Sequence, residues 1–284
     1  MDILVHAPAA ALAWDKALDA IVSADQRQRD SIWAMVANAF AALADPQVLD
    51  AVSPAAGEKF DPVTFLRKSG TLYLIGTASG ASATAGLVAA LVEDVVEVAR
   101  RLAAGSPGGR LDPPLGLILD EAANYPLPSL GALMSEGGGT GITTLASLQS
   151  LAQARHRWGR EQAQGIWDSA IVKIVLGGGG DADDLADIAR LVGDRTEREY
   201  SKTRQPGGGT SVSASTRERA ILDPSAIRSI TPGHGLVLLR SARPMMLSLR
   251  PWTSRRGAAT LRRDRARVEE AIRTAAALSW SGDA

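Results

Sequence analysis

Across residues 14–43 the apolar positions recur at helical spacing. Leu18, Ile21 and Val22, then Ile32, Met35, Val36, Ala39 and Phe40, fall three and four apart, which predicts a buried helical stripe. The charged patch Asp25-Gln26-Arg27-Gln28-Arg29-Asp30 divides the run, either as a short link or as a solvated helical turn. Asp45-Pro46 ends it, and 53–57 is a loop. From Phe60 the pattern changes. Asp61-Pro62 starts a short helical piece with Phe65 and Leu66, and Ser69-Gly70 turns the chain. Thr71-Leu72-Tyr73-Leu74-Ile75-Gly76 is a compact apolar run of the kind found in strands buried on both faces. Similar runs follow at 115–119, 143–148 and 171–176. They alternate with helical stretches at 79–101, 127–137, 151–170 (broken near Trp158-Gly159) and 181–191, the last capped by Asp181. This alternation predicts an α/β fold, a parallel sheet covered by helices on both faces. Farther on, 201–216 reads as a mobile Gly/Ser/Thr-rich hairpin loop, 236–240 and 246–249 as two late strands, and the chain ends in a basic helix reaching about residue 278.

Composition narrows the chemistry. The 284 residues carry 31 basic and 31 acidic side chains, and this neutrality argues against a polybasic nucleic-acid binder that works alone by counterion release. With 45% of residues hydrophobic and 22% charged, the chain is globular rather than disordered. It has no cysteine, which excludes a disulfide scaffold, a thiol nucleophile and a Cys-ligated zinc site, and reads as intracellular. His6, His156 and His234 stand singly and suggest no metal centre. Four of the six tryptophans, Trp14, Trp33, Trp158 and Trp167, read as core or interface packing rather than base-stacking platforms. No signal peptide or membrane span is expected: 81–92 is too short for a bilayer and runs into Glu93 and Asp94.

The sharpest chemical signal is Leu115-Gly116-Leu117-Ile118-Leu119-Asp120-Glu121. A hydrophobic strand ending in Asp-Glu matches the Walker B pattern, with paired carboxylates at the carboxyl end of a buried parallel strand. In that role Asp120 holds Mg²⁺ through water and Glu121 polarises an attacking water. The plainer alternative is that both acids cap the next helix. Gln149 follows the next apolar run, where its amide suits a nucleotide sensor, or else is an ordinary loop residue. The phosphate-cradling half of such a site is missing. Only Lys68-Ser69 and Lys202-Thr203 place a hydroxyl after a lysine, and neither follows a glycine. Gly76-Thr77-Ala78-Ser79-Gly80 has the outline of a phosphate loop without its lysine, and the glycine run 177–180 is a tight strand-to-helix turn or an anion site at a helix start. Six arginines from Arg255 to Arg267 make the tail a solvated helix face or a contact for DNA or a partner.

Ile118-Leu119-Asp120-Glu121-Ala122-Ala123-Asn124, followed by Leu130, Leu133, Ser135-Glu136-Gly137-Gly138-Gly139, Gly141-Ile142, Leu148-Gln149-Ser150 and Gln153, resembles the TraG/TraD-type coupling proteins of conjugative type IV secretion. Gly138 stands where their pattern has Arg. The resemblance runs from about residue 14 to 252 and includes Ala44-Asp45-Pro46, 70–74, Lys173-Ile174, Gly177-Gly178, Leu191-Val192-Gly193 and 219–222. It implies a RecA-like P-loop NTPase motor, present here as its carboxyl-terminal half without the Walker A half. On this reading 1–58 resembles the end of an all-α insertion and its return helix, 59–252 the C-terminal half of the motor domain with Walker B, and 253–284 a basic helical tail.

The resemblance further implies ATP and Mg²⁺ as cofactors, with Asp120, Glu121 and Gln149 at the site and Arg155 or Arg157 as a possible arginine finger acting in trans. Implied partners are a hexamer of like chains or a complementing N-terminal half, a relaxase or relaxosome accessory protein, DNA, and components of the secretion channel. The implied location is cytoplasmic, at the inner face of the membrane when part of an intact coupling protein. Three functions are open: a motor half-domain supplying the Walker B and sensor side of an ATP site, a non-catalytic docking module, or an inactive gene remnant. A sheet without its Walker A strand leaves apolar surface and a strand edge open. The isolated chain is therefore expected to self-associate or to be poorly soluble. Sedimentation velocity checks this, and a sharp monomer of high cooperative stability would count against the half-domain reading.

Overall fold

A computed structural model describes residues 13–55, 57–75, 81–204 and 210–281. The chain divides into two compact units, Met1–Ser169 and Ala170–Ala284.

The first unit opens with α1 (Trp14–Val22) and α2 (Gln26–Phe40). The Asp25 carboxylate accepts from the main-chain N–H groups of Arg27 (3.0 Å) and Gln28 (3.1 Å), so the charged patch forms the first turns of α2 rather than a link. Neither helix buries a residue, and Trp14 and Trp33 are 64% and 51% exposed. The expected buried stripe is therefore an uncovered apolar face, and these two tryptophans are not core residues, which leaves the interface half of that expectation open. Asp45-Pro46 starts a further short helix, α3 (Pro46–Ala51), with Asp45 as its cap and Pro46 in its first turn. Asp61 caps α4 (Pro62–Arg67) in the same way. Hydrogen bonds from Thr64 hold the Asp61 carboxyl below its ordinary range.

Residues 71–75 are not a strand. No described strand pairs with them, and Tyr73 and Ile75 are largely exposed. Gly76 and the phosphate-loop-like stretch 76–80 lie outside the described residues. Next comes α5 (Ala81–Ala104), then β1 (Leu115–Leu119), α6 (Leu130–Thr140), β2 (Ile142–Ala146), α7 (Leu151–Trp158) and α8 (Arg160–Ser169), with the break at Gly159 as expected. β1 and β2 are parallel, in register from Leu115↔Ile142 to Leu119↔Ala146. One face of the pair packs on α5 and α6: Leu117 and Ile142 join Val96, Ala99, Leu133 and Leu66 in a continuous core. A second cluster sets Leu127 and Leu130 against Ile166, where Trp158 Nε1 donates to Leu127 O at 3.0 Å.

Gly141 connects α6 to β2. Its φ of 83° ends the helix in the left-handed region, and a Cβ there would stand 2.8 Å from the carbonyl oxygen of Leu111. Arg110 adds a second stop, donating to the carbonyl oxygens of Gly138 (2.9 Å) and Gly139 (3.1 Å) at the negative end of α6.

The opposite face of β1 and β2 is open. Ile118 is 73% exposed and Leu145 is exposed beside it, so these strands are covered on one face where the apolar run predicted two.

The second unit holds β3 (Val172–Val175), α9 (Ala182–Val192), β4 (Asp194–Arg204), β5 (Thr210–Ala220), α10 (Pro224–Arg228), β6 (His234–Leu239), β7 (Met245–Ser248) and α11 (Ala258–Ser281). The α/β class with a parallel sheet and flanking helices stands, but among the described strands only β1 and β2 are parallel. β3 pairs antiparallel with β6, and β6 with β7, rather than extending the parallel sheet. The expected loop at 201–216 is mostly strand: β4 and β5 run through it as an antiparallel hairpin, because Ser and Thr suit a ladder as well as a loop. Asp181 caps α9 as expected, taking the N–H groups of Asp183 and Asp184. Gly177 lies where a Cβ would collide with the Ile230 carbonyl oxygen. Within the glycine run Gly177 alone packs against backbone, while Gly178 and Gly180 face open space, and three aspartates occupy the helix start that an anion would need.

Truncating Ile142, fully buried, to Ala should cost roughly 2–5 kcal/mol in urea unfolding. Ile118→Ala on the open face should cost about 0.5 kcal/mol or less. Equal costs would mean that the Ile118 face is covered.

Candidate functional site

The parallel pairing of β1 and β2 continues past the strand ends. Ser147 N donates to Leu119 O at 2.8 Å, and Ala122 N donates back to Ser147 O at 2.9 Å. These two bonds bring the chain after β1 beside the chain after β2, at the carboxyl ends of both strands. Asp120 and Glu121 therefore emerge next to Gln149, although Gln149 lies 28 residues on.

Glu121 has φ of 48°, in the left-handed region that a non-glycine residue enters at a cost of about 1–3 kcal/mol. The turn is held by Asn124 N donating to Glu121 O at 2.8 Å and by Ala122 and Ala123, both buried. Neither acid caps a helix, since α6 begins only at Leu130. The N–H of Ser129, the residue before that helix, donates instead to Glu93 of α5 at 2.9 Å. The capping alternative for Asp120 and Glu121 is therefore set aside.

Both oxygens of Glu121 are engaged by amides. Gln149 Nε2 donates to Oε1 at 3.0 Å and Asn124 Nδ2 donates to Oε2 at 2.6 Å. Gln153 Nε2 in turn donates to Asn124 Oδ1 at 3.4 Å. Because a carboxylate only accepts, Asn124 must offer its NH₂ to Glu121, which leaves its oxygen for Gln153. Ser150 caps α7 by accepting from Gln153 N at 3.1 Å, and so fixes the helix that carries Gln153. Gln149 is thus a member of a network rather than an isolated loop side chain.

Asp120 lies exposed beside this network, with Oδ1 accepting only the N–H of Glu121 at 3.1 Å among the described hydrogen bonds. Its remaining lone pairs suit a hydrated cation. Among the described residues no cluster of three His, Cys, Asp or Glu could hold a metal ion, so a cation here would share Asp120 with water and ligand oxygens.

Arg155 and Arg157 occupy the last turn of α7, with Arg157 exposed. Neither lysine–hydroxyl pair forms a phosphate loop: Lys68-Ser69 is the turn that ends α4, and Lys202-Thr203 lies inside β4. The sequence pattern alone assigns no role to Asn124 or Gln153. Their signal is spacing, three residues after Glu121 and four after Gln149. Among the described residues no helix is long and apolar enough to cross a membrane.

Residues 114–232 match the family model described as the TraM recognition site of TraD and TraG. In three dimensions the chain is similar to the bacterial conjugative coupling protein TrwBdeltaN70 in its unbound monoclinic form, with a TM-score of 0.53 and 21% identity, covering 67% of this chain and 43% of that one. It is also similar to plasmid coupling protein TrwB in complex with the non-hydrolysable GTP analogue GDPNP (TM-score 0.51, 20% identity, 67% and 43% covered). The same protein in complex with ADP and Mg²⁺ matches at TM-score 0.52 and 21% identity, over the same shares of each chain. This chain thus spans less than half the length of the solved structures that it matches. No curated protein matches it at a significant level. The resemblance to TraG/TraD-type coupling proteins holds in sequence over 114–232, and the structural match agrees with it in fold.

Since Asn124 and Gln149 bind the same carboxylate, their contributions should not add. A double-mutant cycle of Asn124→Ala and Gln149→Ala in urea unfolding is expected to show a coupling of about 0.5 kcal/mol or more. Strict additivity would mean that Glu121 is not shared between them.

Proposed function

We propose that this chain supplies the Walker B and sensor side of an ATP site in a conjugative coupling motor, and that another polypeptide supplies the phosphate-binding loop. The observation that carries this reading is the contact of Gln149 with Glu121 at the carboxyl ends of two parallel strands, where such folds bind their ligands. Asp120 holds Mg²⁺ through water. Glu121 accepts a proton from, or orients, the water that attacks the γ-phosphate, and Gln149 senses that phosphate. Bound Mg²⁺ supplies charge neutralisation on the phosphates. The hydrogen bonds that occupy both Glu121 oxygens describe a resting arrangement, in which Gln149 must turn toward phosphate to release one of them.

The open apolar face at Ile118 and Leu145 supports a covering contact from a second chain, either a like copy in a ring or an N-terminal half carrying the loop. Arg155 or Arg157, on the helix that begins beside Gln149, is in our reading the cation offered to a neighbour's site. By family resemblance the assembled motor receives a relaxase–DNA complex and drives DNA into a secretion channel, working at the cytoplasmic face of the membrane.

A second reading is favoured by one observation. The matched segment is described as a TraM recognition site, so the chain serves as a docking module for a relaxosome accessory protein.

The test mixes the chain with a separately expressed P-loop half of a coupling protein and follows phosphate release. Turnover that needs both pieces, and that Glu121→Gln lowers by about 10²-fold or more, is the expected result. A chain that binds the accessory protein while the mixture shows no turnover would favour docking instead.

A further inference from the structure

α11 runs for 24 residues, and at about 1.5 Å per residue it is roughly 36 Å long. Ala258, its first residue, is buried, whereas every side chain from Ala259 to Ala275 is exposed. A helix this bare is marginal in water, because most helical stability in proteins comes from packing an apolar stripe. Such a stripe is present. Leu261, Val268 and Ile272 are each at least half exposed. With Arg265 they fall at 261, 265, 268 and 272, the alternating four-and-three spacing of a coiled-coil seam.

Charge along the helix is uneven. Four arginines and Asp264 precede Val268, whereas two glutamates and Arg273 follow it. The arginines crowd toward the positive end of the helix dipole and the glutamates lie toward its negative end, the reverse of what the dipole favours. Within the helix Arg265 pairs with Glu269 (2.6 Å), Arg273 with Glu270 (2.7 Å) and Arg267 with Asp264 (3.6 Å). Arg262 has no carboxylate partner among the described residues, and donates one N–H to Thr253 O at 3.1 Å.

We propose that α11 is a dimerisation surface that pairs antiparallel with the same helix of a second copy, Leu261 facing the partner's Ile272 and Arg265 facing the partner's Val268. Arg265 lays its aliphatic stem along the seam and keeps its head on Glu269. Charge selects this arrangement. Arg262 comes beside the partner's Glu269 at both ends of the seam, and the basic half of each helix lies on the acidic half of the other. A parallel pair would instead face Arg265 with the partner's Arg265 and bring Asp264 beside the partner's Glu269. Sliding the antiparallel pair by one heptad, in one direction or the other, would face Glu269 with the partner's Glu269 or Arg262 with the partner's Arg262. The contact is two-fold symmetric and closes on itself, unlike the head-to-tail contact of a ring. It lies in the second unit and does not depend on the reading of Asp120, Glu121 and Gln149.

Because the chain has no cysteine, single substitutions report contacts cleanly. Full-length Leu261→Cys and Ile272→Cys chains are mixed, oxidised and run on a non-reducing gel, with circular dichroism confirming that each folds. The mixture should give a disulfide-linked dimer, and either variant alone little or none. In sedimentation equilibrium, Glu269→Arg and Arg262→Glu should each weaken association about fivefold or more, since each removes two ion pairs. Mixing these two variants rebuilds both pairs across the seam and should restore association. Arg263→Glu makes the same charge change away from the seam and should leave it unaltered. Cross-linking of Leu261→Cys with itself, no cross-link in the mixture, or association untouched by either charge reversal would overturn the proposal. So would a chain that stays monomeric while the accessory protein binds it through Arg262.

Discussion

The site depends on one constraint: β1 and β2 are parallel neighbours whose pairing outlasts the strands. Two main-chain bonds, Ser147 N to Leu119 O and Ala122 N to Ser147 O, align the ends of both chains. Without that alignment the strained turn at Glu121 would lose its tie to the chain after β2, and Gln149 would not reach its carboxylate. The buried Ala122 and Ala123 and the core on α5 and α6 serve the same end, by keeping the strand pair from slipping. A slip of one residue would send every side chain to the other face, and with them the register that the site requires.

Much of this was legible from residue pattern. The apolar run ending in Asp120-Glu121, the alternation with helices, the break at Gly159 and the Asp181 cap all depend on local chemistry that a neighbour does not change. What was not legible depends on distant partners. Residues 71–75 have the composition of a buried strand, yet a strand exists only where a ladder partner accepts its hydrogen bonds, and no described strand does. The orientation of β3 was hidden for the same reason. Asn124 and Gln153 likewise acquire meaning only when a turn and a helix bring them together, and an isolated amide in sequence says nothing of its partner.

The exposed apolar side chains make physical sense as one condition rather than as several defects. Ile118 and Leu145 on the open sheet face, Trp33 and Phe40 on α2, and Tyr73 and Ile75 beyond α4 are large apolar residues that no described residue of their own unit buries. Large apolar residues left in water forfeit about 1.5–3 kcal/mol each relative to burial, which is a strong drive toward a covering partner. The same logic explains why the polar residues of the site are complete on their own side. A carboxylate flanked by amides is stable in water without any further partner.

The most direct measurement is ATP hydrolysis by the purified chain with Mg²⁺, beside a Glu121→Gln control. The half-site account predicts no turnover above background in either protein, because nothing in the chain combines a glycine-rich cradle with its lysine. Turnover by the wild-type chain that disappears in the control would contradict it, and would mean that this chain cradles phosphate with its own backbone.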